Sequence, residues 1–151
     1  DAVESWVTDT TIVVNSELDL VDATALGDGV VDVDLASPGK QITLRAAIQE
    51  ANNLPGPDVI SLPEGSFVLT LAGSGEDFSS SGDLDIRQDL TIVGEGSGVT
   101  TIDADGLERV FQVFGGVTVQ ISGVTITGGG EPRTDVYYPV CRPGSPAAGS
   151  R

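Results

Sequence analysis

Five aspartates crowd the opening of the chain: Asp19, Asp22, Asp28, Asp32 and Asp34. Carboxylates at that density could supply oxygen ligands to calcium, which takes about six to eight of them. Asp28, Asp32 and Asp34 do not follow the Asp-x-Asp-x-Asp-Gly order with its distant bidentate Glu, so bound calcium and a solvated acidic loop both stay open. The cluster Gly94-Glu95-Gly96-Ser97-Gly98 follows a β-branched segment, as a dinucleotide loop would. Val99 stands where the third glycine belongs, no helix pattern follows and no Lys-Ser/Thr pair is present, so a turn is expected. Ser79, Ser80 and Ser81, after Glu76 and Asp77, form a polar loop with no base to activate a hydroxyl. Cys141 sits in a proline- and glycine-rich stretch and reads as an incidental thiol. These residues commit the sequence to no catalytic, cofactor-binding or metal-ligating position.

The totals narrow the chemistry further. Histidine is absent and Cys141 is the single cysteine, which removes Cys/His zinc sites, disulfide frameworks and every acid–base scheme that needs imidazole. Seven basic residues against 23 acids give a net charge of −16, so a nucleic-acid backbone or an anionic membrane is not an expected partner. The acidity is concentrated in the first forty residues, where Lys40 is the only base. No apolar run approaches the roughly 20 residues that span a bilayer. The chain opens on Asp1, which reads as a processed or excised piece. Its 151 residues suit one domain with a core.

One helix is predicted. Leu44, Ala47, Ile48 and Ala51 fall at i, i+3, i+4 and i+7 and share a face, while Arg45, Gln49, Glu50 and Asn52 point elsewhere. Thr43 is the expected N-cap, with Ile42 placed to staple onto Ala47. Asn52 and Asn53, followed by Leu54-Pro55-Gly56-Pro57, stop the helix. A helix of that length is marginal alone and must gain stability by laying its apolar face on something.

Strands are expected at the β-branched run from Thr10 to Val14 and within DVISLP from Asp58, FVLTL from Phe67, LDI from Leu84 and LTIVG from Leu90. The same reading gives TTIDA from Thr100, RVFQVF from Arg109, VTVQIS from Val117 and VTITGG from Val124. Trp6 is expected to anchor the first segment to the core. Leu90-Thr91-Ile92-Val93-Gly94 recurs 34 residues later as Val124-Thr125-Ile126-Thr127-Gly128, which points to a solenoid of stacked coils. In such a stack Ile92, Ile102, Val119 and Ile126 are expected to form one aliphatic column, with the neighbouring threonines facing outward.

The order Ile42-Thr43-Leu44-Arg45-Ala46-Ala47-Ile48, Ala51-Asn52, then Asp58-Val59-Ile60-Ser61-Leu62-Pro63 resembles the N-terminal Cys-Ser-Leu-Arg-Glu-Ala-Ile signature of bacterial surface proteins with right-handed parallel β-helices. Those proteins are related in fold to pectate lyases and polymorphic outer-membrane proteins. The likeness runs from about Thr11 to Gly130. Ile42 stands where the family has Cys and Ala46 where it has Glu.

The resemblance implies an all-β fold: a right-handed parallel β-helix with an N-terminal cap, one short amphipathic helix and the first few coils in residues 1–130. Residues 131–151 are expected to form an irregular or disordered tail. The helix would act as a lid over the first coil, and Arg45, in its first turn, would need a carboxylate partner from the acidic first third. The function implied is a non-catalytic capping module of an exported surface protein, extracellular or on the cell surface, serving adhesion or presentation. Partners would be glycans or further copies of the chain meeting at the open end, without membrane insertion by this segment. Two alternatives are a fragment of a polysaccharide lyase and a calcium-stabilised carbohydrate-binding domain. For the lyase, Asp103, Asp105 and Arg109 would combine calcium-binding carboxylates with a proton-accepting cation; the simpler reading is an Asp105-Gly106 turn with Asp103 accepting backbone N–H groups.

Overall fold

Short β-branched segments form strands, and in several of them burial alternates with period two. In a computed structural model, which describes residues 10–55, 57–73, 77–107 and 109–129, the elements are β1 (Thr10–Val13), α1 (Leu44–Ala51), β2 (Asp58–Ser61), β3 (Gly65–Val68), β4 (Leu84–Ile86), β5 (Leu90–Val93), β6 (Thr100–Asp103), β7 (Phe111–Val113), β8 (Val119–Ser122) and β9 (Thr125–Thr127). Trp6, Cys141 and the expected tail at 131–151 lie outside the described residues. Every strand expected from the sequence is present. In β2 and β5 alternate residues turn inward, so Ile60 and Ile92 are fully buried while Val59 and Thr91 are half-buried.

The strands form three sheets in which every pairing is parallel. The first sheet has the order β1-β2-β5-β8, the second β3-β6-β9 and the third β4-β7. The chain visits the three sheets in turn with β2, β3 and β4, returns with β5, β6 and β7, and begins again with β8 and β9. Parallel neighbours need a long crossover, and here each crossover is the passage through the other two sheets. The fold is therefore mostly β with one helix, and no sheet closes into a barrel among the described residues.

The expected single aliphatic column is corrected by the register. Ile12, Ile60, Ile92 and Ile121 align across the first sheet, and Phe67, Ile102 and Ile126 align across the second. Val119 pairs with Leu90, not with an isoleucine. The 34-residue recurrence compared strands of different sheets: β9 lies beside β6, and β8 lies beside β5. The connections differ in length, so Ile60 to Ile92 is 32 residues and Ile102 to Ile126 is 24. A fixed period cannot follow such a chain.

Gly94 and Gly123 show how closely successive passes approach. A Cβ on Gly94 would collide with the carbonyl oxygen of Gly123, and a Cβ on Gly123, at φ 70°, would collide with that of Gly94. Only glycine fits both sites.

The helix has the predicted bounds and cap. Thr43 is extended at φ −92° and its side chain accepts from Ala46 N at 3.1 Å, an interaction typically worth about 1 kcal/mol. Leu44, Ala47, Ile48 and Ala51 pack into the core with Ile60, Leu84 and Ile86. Arg45, Gln49 and Glu50 point away from that face as expected, yet all three are buried as well, under the acidic segment that precedes the helix. Loops, not solvent, cover that polar face.

Candidate functional site

Each sheet has two edges, and in the third sheet the leading one, β4, is finished by side chains. The leading side carries α1 and the acidic segment; the trailing side consists of β8, β9 and β7, the last strands of their sheets.

Arg45 is the centre of the leading side. Its Nε and Nη2 donate to the two carboxylate oxygens of Asp19 at 2.6 and 3.0 Å, and both side chains are essentially inaccessible. Nη1 donates to the Ser79 carbonyl at 3.1 Å and Nη2 to that of Gly82 at 2.8 Å. Asp19 Oδ2 also accepts from Thr70 N at 2.7 Å and Leu71 N at 2.9 Å. The carboxylate partner expected for Arg45 in the acidic first third is therefore Asp19. A planar guanidinium supplies a fork that a lysine could not, and here it joins four chain segments.

Two further side chains finish β4. Leu84 N and Ile86 O bond toward β7, so the groups of Asp85 and the Arg87 N–H face the leading side. Asn52 takes two of them, its Nδ2 donating to Asp85 O at 2.8 Å and its Oδ1 accepting from Arg87 N at 2.8 Å. The side-chain amide stands in for a missing strand. Ser79 takes the rest: its Oγ accepts from Asp85 N at 2.7 Å and donates to Asp85 O at 3.0 Å, while its own N–H donates to Asp85 Oδ2 at 3.0 Å. Ser79 is fully buried at φ 63°, a left-handed conformation costly for a non-glycine residue. The sequence predicts only a polar loop for the serine run, and Ser79 serves within it as a backbone partner. No sequence signal pointed to it.

The acidic loop is built from the same economy. Glu50 accepts from Gly27 N at 2.8 Å and Gly29 N at 2.6 Å, and Gln49 Oε1 accepts from Asp22 N at 2.9 Å, which ties the loop down on the helix. Asp22 Oδ1 accepts from Thr24 N and Asp32 N, Asp28 from Val30 N, and Asp32 Oδ1 from Asp34 N and Gln41 N. The hydroxyl of Ser37, at 2.6 Å, and the Ala36 N–H hold the Asp34 carboxyl below its ordinary pKa. Asp19 and Asp32 are buried, so a wholly solvated loop is corrected. Among the described residues no group of three or more Asp, Glu, His or Cys converges as metal ligands would.

The remaining candidates separate. Asp103 Oδ1 accepts from Asp105 N at 2.8 Å, and Asp105 at φ 49° with Gly106 makes the expected turn. Arg109 instead pairs with Asp83 at 2.6 Å and donates to Gln112 Oε1 at 2.8 Å. The Asp103, Asp105 and Arg109 group is not assembled. The glycine cluster is the turn from β5 to β6, closed by Thr100 N donating to Gly96 O at 2.8 Å and by Gly96 N donating to Gly123 O at 2.8 Å.

The trailing side has no such finish. Val119 and Ile121 are half-buried, and Ile126 is 46% exposed although its register partners Phe67 and Ile102 are 2% and 0%. Among the described residues no strand pairs with the outer edges of β8, β9 or β7. No helix among them is long and apolar enough to cross a membrane. No family model, curated protein or solved structure matches the chain.

Proposed function

We propose that this chain is the N-terminal cap and first coils of a right-handed parallel β-helix, a non-catalytic module of an exported bacterial surface protein that serves adhesion or presentation. The cyclic passage through three parallel sheets supports the architecture, and crossovers between parallel strands are right-handed in about 98% of cases. The resemblance through Leu44-Arg45-Ala46-Ala47-Ile48 supports the surface protein. The separate partners of Asp103 and Arg109 favour a non-catalytic role over a lyase.

The observation that carries the reading is the contrast in one residue type: Ile48, on the helix, is fully buried, and Ile126, on the last strand, is 46% exposed. A cap closes one end and leaves the other ready for more structure. The same substitution at both places tests it. Ile48→Asp puts an unpaired charge in the core and should cost more than about 4 kcal/mol, ending cooperative urea unfolding. Ile126→Asp should cost less than about 1 kcal/mol. Equal losses, or a tolerant Ile48, would remove the cap reading.

A further inference from the structure

We propose that a second copy of this chain covers the trailing side, with β8 of one copy antiparallel to β8 of the other about a two-fold axis through Gln120. The inference rests on the cap reading and names the partner of its open end. From Val110 to Gly129 the sequence contains no Asp, Glu, Lys, Arg or Pro, in a chain of net charge −16. All three trailing strands lie in that stretch. Exposed strand edges are ordinarily guarded by charge, lysine above all, or by proline, and this edge has neither. The charge that keeps copies of so acidic a chain apart is missing from these strands.

Electrostatics also favours the two-fold. A head-to-tail contact would set β8 on β1, an uncharged strand followed by loops in which Glu17 and Asp28 are exposed. A two-fold contact sets uncharged edge on uncharged edge and closes at two copies.

The register follows from the ladder already present. Thr118 O and Ser122 O accept from Leu90 N and Gly94 N, so the backbone groups of Gln120 share that direction and those of Val119 and Ile121 face the free edge. Setting Gln120 opposite Gln120 of the second copy makes Val119 and the second copy's Ile121 a hydrogen-bonded pair, and the reverse. Val119 and Ile121 then both stay on the inner face, with Gln120 outside. A one-residue slip would oppose inward to outward side chains.

Sedimentation velocity of the full chain over a concentration series should show a monomer–dimer equilibrium. Gln120→Lys, at an exposed position, should raise the dimer Kd roughly fivefold or more by opposing like charges. Thr11→Lys, exposed on β1 of the same sheet, should leave it unchanged. In a Cys141→Ser background, Gln120→Cys should cross-link copies on mild oxidation, because such opposed Cβ atoms lie about 4.5 Å apart. A chain that is monomeric throughout the series, yet melts cooperatively and keeps the Ile48 and Ile126 contrast, overturns the second copy and spares the cap. Slow hydrogen exchange at Val119 and Ile121 in that monomer would instead assign the edge to the chain's own downstream segment. A dimer broken by Thr11→Lys but not by Gln120→Lys overturns the proposal as well.

Discussion

The two ends of the sheets face the same physical problem and meet it differently. At β4 the outward backbone groups are bonded by Asn52 and Ser79, and the core above is covered by α1. On the outer edges of β8 and β9 the same kinds of group meet no further strand among the described residues, and inward-facing side chains such as Ile126 are partly exposed. The difference is one of side-chain investment. The leading side uses a buried ion pair, a strained serine and two amides; the trailing side uses β-branched residues and threonine with no charge at all.

If that investment sets the stability of the leading side, removing it should rank in proportion to burial. Arg45→Met should give the largest loss, about 3–5 kcal/mol, because it leaves Asp19 as an uncompensated buried charge; chemical denaturation measures it. Arg45→Lys should recover only part, since an ammonium cannot fork onto both oxygens of Asp19. Next comes Asn52→Ala, which removes one of the donors to Asp85 O and the acceptor of Arg87 N, and should cost about 1 kcal/mol. Gln120→Ala at the opposite edge should stay within about 0.5 kcal/mol for the monomer. Similar values for those two would erase the contrast between ends.

The smallest effect is expected from pH. The Ser37 hydroxyl and the Ala36 N–H favour the ionised Asp34, whose folded pKa therefore lies below the unfolded value of about 3.9. Its contribution is complete above that unfolded value and is lost as pH falls through the lower folded one. Asp34→Asn should flatten the acid limb of a melting curve slightly and leave neutral-pH stability nearly unchanged.

Legibility followed locality. Thr43, the four apolar helix positions and the strand segments were all readable, because capping and period-two patterning involve neighbours along the chain. The partner of Arg45 was readable as a type, since a cation in the first helical turn next to an acidic segment calls for a carboxylate, but its identity as Asp19 was not. The Asp103, Asp105 and Arg109 grouping failed because nearness in sequence is not nearness across a turn: Arg109 reaches Asp83, 26 residues away. The aliphatic column failed for a related reason, since loops of unequal length defeat any single period. Asn52 gave no local sign of serving β4, because Asp85 and Arg87 lie 33 and 35 residues further on, and Ser79 gave none because its left-handed backbone and burial depend on how the loop before β4 packs.

By itself, then, the sequence determined which segments become strands, where the single helix starts and stops, and that no imidazole or thiol pair is at hand for chemistry. Those properties depend on residue type and on spacings of a few positions. Only the tertiary structure decided which strand lies beside which, which carboxylate holds Arg45, and that Asn52 and Ser79 finish the outer edge of β4. Those outcomes depend mainly on contacts between segments tens of residues apart, where loop length and packing select the partner and local pattern carries no information.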